Sequence, residues 1–183
     1  MALTHAELCE RARHWLVNRA RCRFAFAEFS CRLPEIPDAI GFRNSECCDA
    51  LVIECKTSRA DFLADRKKPH RQPGCGLGAY RWFMAEPGII MPTDLPEKWG
   101  LLLVKGRTIH VAAGAEPGRT YWPPETDVWR HGDRREYPER IVMFSMLTRL
   151  QIGIGAQDFQ FHAGASYREK QNAIPAMARD REG

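Results

Sequence analysis

Two carboxylates and a lysine carry the chemistry in the first third of this sequence: Asp38 after Pro37, then Glu54 and Lys56 on either side of Cys55. Magnesium prefers oxygen ligands in octahedral geometry and usually takes one or two carboxylates plus waters. Asp38 and Glu54 are therefore expected to hold Mg2+ or Mn2+, with the backbone carbonyl of Cys55 as a further ligand. A cation held there acidifies its water and offsets charge on an attacked phosphate. A lysine beside it orients that water or neutralises the transition state. Glu28 is a candidate third carboxylate. Asp49, directly before the apolar run that contains Glu54, is a rival to Asp38. The chemistry expected is hydrolysis of a phosphodiester. The blander alternatives are a turn-forming Asp38 and a solvated Glu54–Lys56 ion pair worth little.

Such a site needs a strand beneath it. Ala50–Lys56 is short, apolar and β-branched, which predicts a strand. Residues two apart in a strand share a face. Glu54 and Lys56 therefore point one way, and Leu51, Ile53 and Cys55 the other, with Cys55 as a core thiol. Asp38–Phe42 is the expected antiparallel partner, and residues 43–46 are turn material. Upstream, Thr4 and Glu7 form a capping box for a helix over Ala6–Arg19, with Leu8, Ala12, Trp15 and Leu16 on one face. An alternating run predicts a strand over Arg23–Phe29.

Downstream, Ser58 and Asp61 predict a helix start. That helix is expected to stop near Lys68, before Pro69, with Asp65 paired to a neighbouring Arg or Lys. Gly74, Gly76 and Gly78 mark a loop. Further strands are expected over Tyr80–Glu86, Gly100–Lys105 and Thr108–Ala112, the last two joined by a turn at Gly106. Tyr80, Trp82, Phe83 and Trp99 read as core. Residues 113–139 read as irregular, with Tyr121, Trp122 and Trp129 in Pro- and Gly-rich text. A last helix is expected over Ile141–Leu150, with Met143, Met146, Leu147 and Leu150 along one face. These elements predict an α/β fold, a mixed central sheet flanked by helices. Three regions follow: a core over residues 1–112, a connection plus a helix packed on the core over 113–167, and a mobile polar tail over 168–183.

Pro37-Asp38 followed by Glu54-Cys55-Lys56 resembles the signature of the PD-(D/E)XK, or restriction-endonuclease-like, nuclease superfamily. The run from Glu54 to Lys67 (ECKTSRADFLADRK) resembles more narrowly its bacterial MmcB-type DNA-repair branch. So do the aromatic strand from Tyr80 to Ala85, Leu95-Pro96, and Trp99 to Leu102. The resemblance covers about residues 28–112. It implies an αβββαβ core, metal binding by Asp38 and Glu54, and assistance to the water by Lys56. It also implies action on DNA, in repair, recombination or mobile-element biology. Arg59, Arg66, Lys67, Lys68 and Arg71 are the expected phosphate contacts, which position nucleic acid without reading its sequence. A homodimer would supply two sites for the two strands of a duplex. The alternative is a catalytically silent module of the same fold that binds nucleic acid or protein, such as a phage or mobile-element factor acting on a host protein through residues 113–139.

Composition sets outer limits. The 183 residues fit one domain with a small extension. The net charge of +4 is mild, so its clustering after Arg66 matters more than its total. All seven cysteines precede residue 76 and no CxxC pair occurs. Neither a disulfide framework nor a zinc site is expected from that spacing. Reduced thiols, the lack of a signal-peptide pattern in MALTHAELCERAR and the lack of a long apolar run predict a cytoplasmic protein with no membrane segment.

Overall fold

Thr4 begins the first helix as the sequence predicts. Its side chain accepts from the Glu7 N–H, and Glu7 reaches back to the Thr4 N–H, opening α1 (His5–Asn18). The computed structural model describes residues 2–33, 35–43, 48–72, 74–117 and 124–154. The expected turn at residues 44–46, Tyr121, Trp122 and the tail lie outside them. The chain divides into two compact units, Met1–Glu139 and Arg140–Gly183.

In the first unit, six strands form one mixed sheet in sequence order: β1 (Phe24–Ala27), β2 (Ala39–Phe42), β3 (Ala50–Lys56), β4 (Tyr80–Ala85), β5 (Trp99–Lys105) and β6 (Thr108–Ala113). β1, β2 and β3 run antiparallel in turn. β4 and β5 then continue parallel to β3, and β6 returns antiparallel to β5. Between β3 and β4 lies α2 (Arg59–Asp65), so the core runs α-β-β-β-α-β as expected.

The strand alternation sorts the core into two layers. Leu51, Ile53, Cys55, Tyr80, Trp82, Met84 and Leu102 face α1 and pack with its Leu8, Cys9, Ala12, Trp15 and Leu16. Phe83, Ala85, Trp99 and Leu101 face the other way, around Phe62 of α2. Trp15 meets Trp82 edge-on across the first layer, and Phe62 meets Phe83 edge-on across the second. Sheet-bound apolar side chains thus fix both helices against β3, since burial of each large side chain stabilises by about 1.5–3 kcal/mol.

Several boundaries shift for local reasons. β1 is shorter than expected because Glu28 is left-handed (φ 46°), which ends the extended run. α2 stops at Asp65, three residues short of Lys68, and the chain turns through a 3-10 segment at Pro69–Arg71. Ser58 caps α2 by accepting from the Asp61 N–H. The region beyond Ala113 is less irregular than expected: a 3-10 segment spans Pro124–Trp129, and α3 runs from Glu136 to Ile154. In the second unit, Phe144, Leu147, Leu150 and Ile152 of α3 are exposed.

Candidate functional site: a buried charge cluster at the end of β3

The pairing of β2 with β3 sets Ala39 opposite Ile53, so Asp38 arrives beside the C-terminal end of β3. There the Asp38 carboxylate accepts the Cys55 N–H through Oδ2 at 2.7 Å. Glu54 and Lys56 emerge on the α2 side of the same strand, each only 2% exposed. Phe62 and Phe83 form the apolar layer on that side of the sheet.

A dense ionic cluster fills this end of the sheet. Lys56 Nζ lies 3.0 Å from Asp65, 3.7 Å from Glu54 and 3.9 Å from Asp61. Arg71, carried by the 3-10 segment after α2, is 7% exposed and touches three acids: Glu54 at 2.8 Å, Asp65 at 2.5 Å and Glu35 at 3.3 Å. Its guanidinium also lies over the Trp99 ring, 4.9 Å from the centroid, a favourable cation–π placement. Lys68 adds a contact to Asp65 at 2.8 Å. Glu35 is tied in by the Leu77 N–H.

The acids of this cluster are not equivalent. Burial lifts Glu54 to about 7, opposed by Arg71 and Lys56 and reinforced by Asp38 and Asp65. Burial also raises Asp38, against the Cys55 N–H, Lys56 and His5. Asp65 goes the other way: burial pushes it up, but hydrogen bonds and charge from Arg71, with Lys68 and Lys56, hold it well below the usual carboxylate range. Burial likewise works against the charge on Lys56, but Glu54, Asp65 and Asp38 outweigh it and keep the ammonium protonated. Two carboxylates with raised pKa beside one that is firmly ionised form the kind of perturbed set that marks functional sites.

One atom is left over. Glu54 Oε1 is buried with no hydrogen-bond partner. A buried carboxylate oxygen without a donor costs about 1–3 kcal/mol or more. Such an atom fits a ligand oxygen for a hard divalent cation, with Asp38 as the second carboxylate.

The other expected residues fall into place unequally. Asp49 precedes the far end of β3 and pairs with Arg130 (2.6 Å) and Arg134 (3.4 Å), so it is spatially separate from Glu54 and does not rival Asp38. Glu28 donates its backbone N–H to the Asp38 carbonyl, but its carboxylate makes no ion pair or hydrogen bond among the described residues. Arg71 is no surface phosphate contact, because it is buried against Glu54 and Asp65. Arg59 is engaged with Asp94, including Nη2 to Oδ1 at 2.8 Å. Lys68 is half-exposed but bound to Asp65. Arg66 and Lys67 remain exposed and outside any ion pair among the described residues.

Sequence reasoning missed Glu35 and the inward turn of Arg71. Glu35 lies in irregular chain with no periodicity to give its direction. A signal for Asp65 existed: its spacing of four from Asp61 puts both on one side of α2, where Lys56 meets them. A second group was missed on the opposite side of β3, where His5, Cys9 and Asp38 each bring one ligand atom within 4.8 Å of the others. The spacing of His5 and Cys9 on α1 held that signal, but a search for CxxC pairs passes over it.

No family model matches this chain, and no curated protein matches it. Among solved structures it is similar to the SPO1766 protein of unknown function from Silicibacter pomeroyi. The two are 21% identical, with a TM-score of 0.50, over 82% of this chain and 92% of that one. That likeness supports the α/β mixed-sheet fold and nothing finer. No helix among the described residues is long and apolar enough to cross a membrane.

Proposed function

We propose that this protein is a divalent-metal-dependent nuclease that hydrolyses DNA phosphodiester bonds. The observation that carries this reading is the unpartnered Glu54 Oε1, buried beside Asp38 and Lys56 at the end of β3. The αβββαβ order and the resemblance of Pro37-Asp38 and Glu54-Cys55-Lys56 to the PD-(D/E)XK superfamily support it. Asp38 and Glu54 would hold Mg2+ or Mn2+. When bound, the cation supplies positive charge at the attacked phosphate and acidifies its water.

The chain's own residues do the rest. Asp65 keeps Lys56 charged and aimed, at 3.0 Å. Lys56 then presents a fixed ammonium to the charge that develops at phosphorus, which is worth more in a buried site than in water. The Cys55 N–H fixes the Asp38 carboxylate before anything binds. Exposed Arg66 and Lys67 are left as phosphate contacts. A role in DNA repair, recombination or mobile-element biology goes with the resemblance.

The test is cleavage of single-stranded, duplex and branched DNA with Mg2+ or Mn2+ and with EDTA. Cleavage should need the metal, and Glu54→Ala and Lys56→Ala should each lower it by about 10²–10³-fold or more. Cleavage in EDTA, or full activity in both variants, overturns the reading.

A second reading is a catalytically silent binding module of the same fold. Arg71 favours it, because its guanidinium pairs with Glu54 Oε2, Asp65 and Glu35 without any metal ion. Calorimetric titration with Mn2+ separates the two. Binding that is lost in Glu54→Ala supports the nuclease; no binding, with or without DNA, supports the module.

A further inference from the structure

We infer that His5, Cys9 and Asp38 form a separate site for a zinc-class transition-metal ion between α1 and the start of β2. Its ligands are an imidazole, a thiol and a carboxylate, the set that suits zinc and neighbouring soft cations rather than magnesium.

Geometry supports the assignment. Cys9 Sγ lies 3.3 Å from His5 Nε2, and His5 Nε2 lies 3.4 Å from Asp38 Oδ1. Zinc bonds of about 2.3 Å to sulfur and about 2.0–2.2 Å to nitrogen and oxygen set the edges of a tetrahedron at about 3.4–3.6 Å. Two of the three edges, those that meet at His5 Nε2, are thus already spaced nearly as such an ion would hold them, and the third is within 4.8 Å. His5 and Cys9 are four apart on α1, so one helical face presents both. The capping box at Thr4 fixes the first turn of α1, which carries His5.

A second thiol stands behind the Cys9 sulfur. Cys9 is fully buried, and the Cys55 thiol hydrogen-bonds to it. A donor behind a metal ligand orients it and tunes its basicity. Cys9 would release its proton to solvent on binding, as thiol ligands do. The His5 side chain is 43% exposed, which leaves a way in from solvent. Asp38 divides its two oxygens: Oδ2 takes the Cys55 N–H, and Oδ1 faces His5. The site shares Asp38 with the nuclease reading but does not depend on it.

The experiment is titration of the reduced, EDTA-stripped protein with Co2+, followed by absorbance. A thiolate-to-cobalt charge-transfer band should grow to one equivalent, and stoichiometric Zn2+ should bleach it while excess Mg2+ does not. His5→Ala and Cys9→Ser should each lose the band. Because Cys9 is buried and its variant can unfold, His5→Ala at a half-exposed position carries the decision, with helicity followed by circular dichroism. Cys55→Ala should weaken Co2+ binding about 10- to 100-fold. Glu54→Gln should keep the band even where it abolishes DNA cleavage, so the two sites fail separately. No band, or a band unchanged in His5→Ala, overturns the inference.

Discussion

The two sides of β3 at its C-terminal end differ in kind, although adjacent residues supply them. Toward α2 stand Glu54 and Lys56, packed into a network of hard charges with Asp65, Arg71 and Glu35. Toward α1 stands Cys55, which meets Cys9 and, beyond it, His5. One side is built of oxygen and cationic nitrogen, the other of sulfur and imidazole. The period of two in a strand makes that separation automatic. Asp38 belongs to both sides, because the turn into β2 delivers it to the strand end itself, where it accepts the Cys55 N–H, faces His5 and feels the charge of Lys56. In the two proposed sites, what would sort one cation from another is the partner each side adds to Asp38: a carboxylate toward α2, a thiol and an imidazole toward α1.

Asp38 is the residue whose loss should break the comparison altogether. Asp38→Asn keeps the shape and an oxygen that can still accept the Cys55 N–H, but it removes the charge from both sides. DNA cleavage should fall by about 10²–10³-fold or more, and the Co2+ thiolate band should weaken in the same variant. Glu54→Ala should remove only the first activity and His5→Ala only the second. If Asp38→Asn spares cleavage while Glu54→Ala abolishes it, the two carboxylates do not share a cation.

Arg71 tests whether the α2 side is a structural ion network or a site held ready for a metal. Removing one partner of a buried ionic cluster leaves uncompensated charge and costs about 3–5 kcal/mol. Arg71→Met, which keeps much of the volume over Trp99, should show that loss in urea denaturation measured in EDTA. Mg2+ should then restore more stability to the variant than to the parent, since a ligand that binds only the folded state stabilises it in proportion to its affinity. A purely structural network predicts the same loss with no recovery. The α1 side offers the control: the Co2+ band should be unaffected by Arg71→Met.

Acidity should separate the sides as well. Burial raises Glu54 to about 7, above its value in the unfolded chain. The folded state then binds the extra proton, so its stabilising share is complete below about pH 4.5 and is lost as the pH rises through about 7. In EDTA, the melting temperature of the parent should decline between pH 5 and 8 (about those limits) relative to Glu54→Gln, which carries no proton to lose. Parallel profiles for the two proteins would remove Glu54 as the titrating group.

How much of this was legible in the sequence follows from the same contrast. Strand periodicity gave the bounds of β3 and the shared face of Glu54 and Lys56, and the capping box located the start of α1. The pairing that brings Asp38 to Cys55 followed from a short antiparallel hairpin. What periodicity cannot give is the direction of a long side chain leaving a turn. Arg71 sits after Pro69 in a basic run that looks solvated, yet three carboxylates and an indole draw it inward. Glu35 lies between two prolines, with no neighbour in sequence to reveal its partner Leu77. The His5–Cys9 pair was readable as one helical face, but the third member of the group, Asp38, comes from the residue before β2, more than twenty residues away.

The smallest effect expected comes from the cap of α1. Thr4→Ala removes the side-chain acceptor of the Glu7 N–H, and loss of such a cap costs about 1 kcal/mol. The fraying it permits should stay within the first turn, where His5 lies one residue from the cap. Cys9, a turn further on and fully buried, should hold its position. Co2+ affinity should therefore drop modestly in Thr4→Ala, because one ligand of three loses its fixed direction. Mg2+-dependent cleavage should stay at the parent level, because β3 and the turn into β2, not α1, carry Glu54, Lys56 and Asp38. Equal losses of both activities would mean that α1 positions the strand end as a whole and that the two sides of β3 are one site.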